Sequence, residues 1–207
     1  MTNTPMAQAK LRLAMFAGLS MLAMAPAAHA VVVTYAGPAI PVPATLAGLY
    51  VNVVTNAANT VPPVGWDFNV YAASGALTFF TNAAPSAYVG VGTAVSALPL
   101  GTIIGPASTF AAGGINAGTA FQTTGNRYFG FRFNNESGGT THYGYGLLSL
   151  GATAGFPASI LSYAFESTPG LAITIPIPEP GTYALMALGL AAVGGIAARR
   201  RKAETAA

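Results

Sequence analysis

Two of the three carboxylates in the central part of the chain could act as a catalytic pair in hydrolysis. The three are Asp67, Glu136 and Glu166. A glycoside hydrolase needs two carboxyl groups about 5–10 Å apart, one on each side of the scissile bond. Glu136 lies in a predicted loop, and Glu166 ends a predicted strand. We therefore expect each carboxylate to cap a turn or to pair with Arg127 or Arg132 at the surface. A glycoside hydrolase stays open as the least favoured function.

His142 is the only histidine outside the first 30 residues. A serine hydrolase would use it as a base beside an activated serine, but the chain has no Gly-x-Ser-x-Gly segment. Cysteine is absent, the carboxylates do not cluster in sequence, and no glycine pattern joins a strand to a helix. We therefore expect no enzyme, no cofactor and no metal site, and a histidine hydrogen-bonded across a β-hairpin.

Charge divides the chain into three parts. Its 207 residues are 53% hydrophobic and only 6% charged, with a formal net charge of +3. Six of the eight basic residues lie near the two ends, whereas residues 31–180 hold two arginines against four carboxylates. Basic residues beside apolar ends indicate membrane topology, and the weakly acidic middle lacks the basic face of a nucleic-acid binder. We expect no nucleic-acid partner.

The N-terminal segment has the three parts of a secretory signal peptide. Two basic residues precede an uninterrupted apolar run over 13–25, and Ala28 and Ala30 give the small-x-small pattern of a cleavage site. The run is too short to span a bilayer, which disfavours a membrane helix there. The pattern predicts that residues 1–30 pass the general secretory translocon and are removed by signal peptidase.

The C-terminal segment predicts a second membrane signal. The tripeptide Pro178, Glu179 and Pro180 closes a proline-rich linker over 176–181. The apolar run 182–198 would form a helix of about 26 Å, a minimal span of a hydrocarbon core about 30 Å thick. The basic residues that open the tail 199–207 are Arg199, Arg200, Arg201 and Lys202. Such a cluster holds its end of the helix in the cytoplasm, so the central part would lie outside it.

This tail resembles the PEP-CTERM sorting signal of Gram-negative bacteria that make exopolysaccharide. The resemblance implies that an exosortase, a membrane-embedded transpeptidase, recognises the tripeptide and processes the tail. It also implies a transient stay in the inner membrane and delivery to the cell surface or extracellular space. The run GFRFNNESGGTTHYGYG resembles a stretch of many short proteins with this signal, which implies a β fold and no activity. A plain single-span anchor is the alternative.

Residues 31–175 are predicted to form one all-β domain. Short runs rich in β-branched and aromatic residues alternate with turn residues, as in an antiparallel β-sandwich or jelly roll. The predicted strands are 49–55, 65–71, 76–81, 87–91, 127–133, 141–150, 158–166 and 171–175, with 92–125 left unplaced.

Alternation along two of these strands predicts their faces, because successive side chains point to opposite sides of a sheet. The triplets predicted to share a face are Phe129, Phe131 and Phe133 in one strand and Trp66, Phe68 and Val70 in the other.

The favoured role of the domain is structural, in the cell surface or biofilm matrix, with a lectin-like module as the alternative. Aromatic rings can stack on sugar faces, and amides can bond their edges. The candidate glycan contacts are Tyr128, Tyr143, Tyr145 and Asn134, which would cluster at one end of a long hairpin. The low charge favours a neutral polysaccharide, and an exopolysaccharide is therefore a possible partner. Tyrosine is also an ordinary cross-strand partner in sheets, which keeps the structural role first.

Overall fold

The computed structural model describes residues 31–82, 84–111, 115–135, 138–177, 181, 186 and 188–191. Its regular structure is mostly antiparallel β-sheet, which confirms the all-β prediction. In chain order the strands are β1 (Val32–Tyr35), β2 (Ile40–Val42), β3 (Leu49–Asn52), β4 (Ala57–Asn59), β5 (Phe68–Ala73), β6 (Ala76–Thr81), β7 (Ala87–Tyr88), β8 (Gly90–Val91), β9 (Ala94–Val95), β10 (Ile103–Ile104), β11 (Asn116–Ala117), β12 (Gly125–Asn135), β13 (Thr140–Gly151), β14 (Gly155–Glu166) and β15 (Ile173–Thr174).

The largest sheet has six strands in the order β1-β14-β13-β12-β7, with β2 also paired to β14. Its centre is the hairpin of β12 and β13, in register from Gly125 opposite Leu150 to Asn135 opposite Thr140. The first strand of this hairpin is predicted from sequence as 127–133, which is two residues shorter at each end than β12. Both strands are rich in aromatic residues, which fit a half-buried pleated surface.

A second sheet has four strands in the order β4-β3-β5-β6. The two-residue loop between β5 and β6 is Ser74 and Gly75, with φ angles of 51° and 81°. Positive φ at both central residues is the geometry whose twist matches a tight hairpin. This turn fixes the register in which Asn69 faces Phe80 and Val70 faces Phe79.

One aromatic core receives side chains from both of these sheets. The centroid of the Phe129 ring in the large sheet lies 5.4 Å from the ring centroid of Phe68 and 5.5 Å from that of Phe79, both in the second sheet. Phe131 lies 5.2 Å from Phe68. The predicted inward face of β12 is therefore observed, and burial of its three phenylalanines is a main source of stability.

The opposite face of the large sheet covers a smaller cluster. Tyr143 and Tyr145 of β13 pack there with Ile104, Ile173 and Ile175, beside the two-stranded sheet of β10 and β15. The segment left unplaced by sequence supplies β9, β10, β11 and a short 3-10 helix at Thr119–Gln122. Strands this short carry too little periodicity to be recognised from sequence.

The prediction for 65–71 is wrong at its beginning. β5 starts at Phe68, and Trp66 lies in the preceding loop rather than in the strand. Phe68 and Val70 enter the core, whereas the Trp66 ring contacts Tyr50 and Phe80. The alternation rule fails here because it holds only inside a strand, and the loop turns the indole away from the face that Phe68 occupies.

Candidate functional site

The tyrosines proposed as glycan contacts lie in the smaller cluster. Tyr143 is 6% exposed and Tyr145 is 8% exposed. The ring of Tyr128 meets Tyr145 edge-on at 5.9 Å, and Phe110 lies 6.2 Å from Tyr143. Burial, followed by the neighbouring Tyr128 phenol, raises the pKa of Tyr145 above its usual value. The burial of Tyr143 and Tyr145 argues against these two rings as a surface on which a sugar stacks.

Asn134 lies near the other end of β12 from Tyr128, although it is a diagonal neighbour of Tyr143 across the β12–β13 pair. Six residues of extended strand separate it from Tyr128, a distance of about 20 Å. With its amide oriented to satisfy its neighbours, Asn134 donates to the carbonyl oxygens of Gly139 at 3.1 Å and Thr140 at 3.2 Å. It therefore closes the end of the hairpin, and it also lines a surface cavity.

This cavity has a volume of about 290 Å³. It lies where the loop before β5, the segment after β6 and the end of the β12–β13 hairpin meet. Its main side chains are Trp66, Asp67, Asn82, Ser86, Asn134 and Asn135. One aromatic ring, three amides, a hydroxyl and a single carboxylate make the lining polar but weakly charged.

An aromatic trio lies on the outer side of the second sheet, and one of its members, Trp66, also lines the cavity. Tyr50 and Phe80 flank Asn69 in one row across β3, β5 and β6. The Trp66 ring meets Tyr50 edge-on at 5.0 Å and stacks on Phe80 at 5.8 Å. Phe80 remains 53% exposed, and Trp66 and Tyr50 are partly exposed. This exposed aromatic group was missed because the sequence pattern assigns Trp66 to the core.

A buried amide fixes the loop that carries Trp66. Asn52 Nδ2 donates to the carbonyl oxygens of Val64 at 3.1 Å and Gly65 at 2.8 Å. Its Oδ1 accepts from the backbone nitrogens of Val54 at 3.0 Å and Thr55 at 2.9 Å. Because a buried amide that loses its partners is costly, this network holds the loop in one conformation.

Asp67 also anchors the loop before β5, through hydrogen bonds to the end of β3. Its Oδ2 accepts from the backbone nitrogen of Val53 at 2.8 Å, and its own nitrogen donates to Val51 O at 2.8 Å. The carboxylate is buried and ties the end of β3 to the start of β5. It is the one carboxylate among the side chains that the structure places around the cavity.

Glu166 and His142 form a separate buried pair. Glu166 Oε1 accepts from the backbone nitrogens of Val31 at 3.2 Å and Thr168 at 2.8 Å. His142 Nδ1 donates to the carbonyl oxygen of Glu166 at 2.8 Å, and Nε2 lies 3.0 Å from Thr140 Oγ1. The histidine thus bonds to β14 and to its own strand, and not across the hairpin to β12 as predicted.

No hydrolytic constellation is assembled in the described part of the chain. Glu166 does not line the cavity that contains Asp67, and Glu136 lies outside the described residues. Within the same ranges, no group of three or more histidines and carboxylates is close enough to hold a metal ion. The buried carboxylates accept backbone hydrogen bonds, which is a structural use of both.

Comparison with known proteins places a match at the C-terminus. Residues 176–202 match the family model of the PEP-CTERM protein-sorting motif. The chain carries a PEP-CTERM protein-sorting motif. The match begins in the proline-rich linker and ends with the last residue of the basic cluster, so it includes every part of the predicted tail signal. No curated protein and no solved structure matches the chain.

The predicted sorting residues lie outside the part that the structure describes. This holds for the PEP-CTERM tripeptide Pro178, Glu179 and Pro180, for the basic residues Arg199, Arg200, Arg201 and Lys202, and for Ala28 and Ala30 of the predicted cleavage site. Of the predicted span 182–198, residues 186 and 188–191 are described, and all are helical. Among the described residues, no helix combines the length and apolar character needed to cross a membrane.

Proposed function

We propose that this protein is exported, sorted through its PEP-CTERM motif and delivered to the cell surface or extracellular matrix. The observation that carries the proposal is the match over residues 176–202. The predicted signal peptide over 1–30 supports the same topology, because both signals place the β domain outside the cytoplasm. General secretory translocon, signal peptidase and exosortase are then the successive partners.

In this proposal, the tail stops temporarily in the inner membrane. Prolines suit the first turn of a helix but not its interior, so the tripeptide lies at the outer end of the apolar run. The basic cluster resists passage across the membrane and holds the inner end. Exosortase would then meet the tripeptide at a fixed depth, cleave the chain and release or re-anchor the domain.

The domain itself is proposed to be a β-sandwich with a structural role in the matrix. The two larger sheets contribute rings to one aromatic core, which supports a face-to-face arrangement. The buried carboxylates are engaged by backbone donors, which supports a non-enzymatic role. Association with exopolysaccharide is part of this proposal.

Intact mass of the protein recovered from native cells tests the delivery proposal. We expect loss of residues 1–30 and loss of the C-terminal segment after the tripeptide, with or without an added group. The matched control is the same strain without its exosortase, in which the tail should be retained. An unprocessed tail in the wild-type strain would overturn exosortase processing.

A further inference from the structure

The aromatic trio of Tyr50, Trp66 and Phe80 reaches the surface although the domain has an extensive aromatic core, with Phe80 exposed and the other two rings partly exposed. Phe80 is 53% exposed, while its neighbour Phe79 is completely buried. Exposed aromatic groups on a soluble β surface are commonly binding surfaces, because leaving such area in water is unfavourable. The hydrogen bonds of Asn52 to Val64 and Gly65 anchor the loop next to Trp66.

The cavity beside the trio supplies the complementary polar groups. Asn82, Asn134 and Asn135 bring amides to the lining, and Ser86 brings a hydroxyl. Asn82 Nδ2 also donates to Trp66 O at 2.9 Å, which connects the cavity directly to the aromatic loop. Ligand sites of this kind combine an apolar surface with a few polar groups that fix orientation.

We propose that the aromatic trio and this cavity bind the pyranose units of a neutral polysaccharide. A pyranose face presents C–H groups that suit the negative face of an aromatic ring, and its edge presents hydroxyl groups that suit amides. The single carboxylate in the lining disfavours an acidic sugar through like-charge repulsion. The site differs from the tyrosine group predicted from sequence, and the proposal does not depend on export or tail processing.

Affinity electrophoresis of the exported protein tests this site. The probes are gels containing mixed-linkage glucan, galactomannan or xyloglucan, with alginate as the acidic comparison. We expect retardation in at least one neutral gel, none in alginate, and an affinity at least tenfold weaker for Trp66→Ala. Phe80→Ser is a second variant at an exposed position, and both variants must keep the circular dichroism spectrum of the wild type.

Matched controls separate this site from the tyrosine group and from a surface that binds a second copy of the chain. Val64→Ala changes a 97% exposed side chain in the same loop, and Tyr128→Phe changes the tyrosine group; both should bind as the wild type does. Retardation in none of the neutral gels, or equal retardation of folded Trp66→Ala and Phe80→Ser, would overturn the proposal. So would a change of oligomeric mass in these variants without a change in glycan binding, because the trio would then bind a second copy.

A different observation carries a second inference, at the beginning of β1. The backbone nitrogen of Val31 lies 3.2 Å from Oε1 of Glu166, whose side chain is 1% exposed. Thr168 N donates to the same oxygen at 2.8 Å. Within the described residues, both of these hydrogen bonds to the Glu166 carboxylate come from backbone nitrogens.

Cleavage after Ala30 would change the chemistry of that nitrogen. Hydrolysis of the Ala30–Val31 peptide bond turns an amide donor into an α-ammonium group, and water supplies the atoms of the two new ends. We infer that removal of the signal peptide creates an ion pair between the Val31 α-ammonium and Glu166, which locks β1 onto β14. Charge-assisted hydrogen bonds are about twice as strong as neutral ones. This inference rests on the proposed export and on cleavage at that bond.

Chemical modification of the mature protein tests the ion pair, because lysine occurs in this chain only at positions 10 and 202. Amine acetylation of the processed protein therefore modifies Val31 and removes its charge. Reductive dimethylation is the matched control, since it adds similar bulk and keeps the charge. We expect acetylation to lower the Tm by about 2–4 °C and dimethylation to leave it nearly unchanged.

The variant Glu166→Gln completes the test. It should lower the Tm of the mature protein and should abolish the effect of acetylation. Equal effects of acetylation in wild type and Glu166→Gln, or no effect in either, would overturn the ion pair. N-terminal mass analysis is done first: cleavage at another bond would refute the ion pair while leaving tail sorting intact, and an uncleaved chain would refute export as well.

Discussion

Phe129 lies directly opposite Gly146 in the β12–β13 pair, and its ring covers the glycine. Phe131 covers Gly144 in the same way, two residues along the hairpin. The missing side chain of each glycine is what allows the ring to lie flat across the neighbouring strand, an arrangement that compensates for glycine in a sheet. The alternating glycines of THYGYG are therefore the receiving surface for the alternating phenylalanines of RYFGFRF.

Gly146→Ala is expected to destabilise the domain. A β-carbon at this position would collide with ring carbons of Phe129, which is itself enclosed by Phe68 and Phe79. Overpacking of a filled core typically costs about 1–3 kcal/mol. Urea unfolding followed by tryptophan fluorescence measures the change, and an unchanged midpoint would contradict the close packing.

The matched control is Gly138→Ala at the end of the same hairpin. Among the described residues, a β-carbon there would meet Thr140 alone, at ordinary van der Waals distances of 3.6 Å and 3.9 Å. Exposed substitutions of this kind stay within about 0.5 kcal/mol of the wild type. A similar loss in both variants would show that the general effect of replacing glycine by alanine in this hairpin, and not the Phe129 contact, decides the result.

The alternation of aromatic residues in the sequence predicted the central hairpin. It did not predict which residues pack against that hairpin. The inward face of Phe129, Phe131 and Phe133 follows from the period of a strand alone. The role of the glycines and the position of Trp66 depend on registers and loop contacts between residues far apart in the chain, which a local pattern does not contain. The Asn52 network is such a contact, because it joins the end of β3 to the loop 64–65.

The candidate site, too, was predictable from sequence only in part. Asn134 could be selected from sequence because amides near a turn are accessible, and it does line the cavity. The tyrosines were selected by residue type, but β10 and β15 cover Tyr143 and Tyr145 in the fold. Those two-residue strands have no periodicity of their own, so nothing local in the sequence indicated that this face of β13 is buried.

His142→Ala is expected to lower the free energy of unfolding by about 2–4 kcal/mol. The change leaves the carbonyl oxygen of Glu166 without its imidazole donor and opens a gap beside Phe133 and Phe165. Because a carbonyl oxygen only accepts, Nδ1 carries the proton in the native structure and Nε2 can accept from Thr140. Urea unfolding measures the loss.

His142→Asn is the matched control for that donor. Its amide nitrogen occupies nearly the position of Nδ1, so it can restore the hydrogen bond to Glu166 without restoring the full ring volume. We expect a stability between those of the wild type and His142→Ala. An asparagine variant as unstable as the alanine variant would show that ring packing, rather than the hydrogen bond, carries the effect.

Stability is expected to fall as the pH rises above about 10. Burial raises the pKa of Tyr88 well above its usual value. The unfolded chain therefore loses this proton first, at about pH 10, and the stabilisation present below that pH is lost as the pH rises further. Tm values between pH 8 and pH 12 measure the decline.

Tyr88→Phe tests the assignment of that decline. The variant removes the titrating phenol and also the hydrogen bonds to Asn69 O and Phe80 O, at 3.1 Å and 3.0 Å. It should therefore be less stable than the wild type at pH 8 but should lose stability more slowly above pH 10. A decline as steep as that of the wild type would assign the effect to other tyrosines, such as Tyr163, whose pKa burial also raises.

Replacing Arg199, Arg200 and Arg201 by glutamate is expected to prevent normal maturation. Three positive charges become negative at the inner end of the apolar run, so the barrier to passage through the membrane is lost. The chain would then pass through without stopping, and exosortase would not meet the PEP-CTERM tripeptide at its working depth. Intact mass and cell fractionation should show an unprocessed tail. The matched control replaces the same residues by lysine, which keeps the charge and should mature normally. Normal maturation of the glutamate variant would refute the role of these arginines in holding the tail.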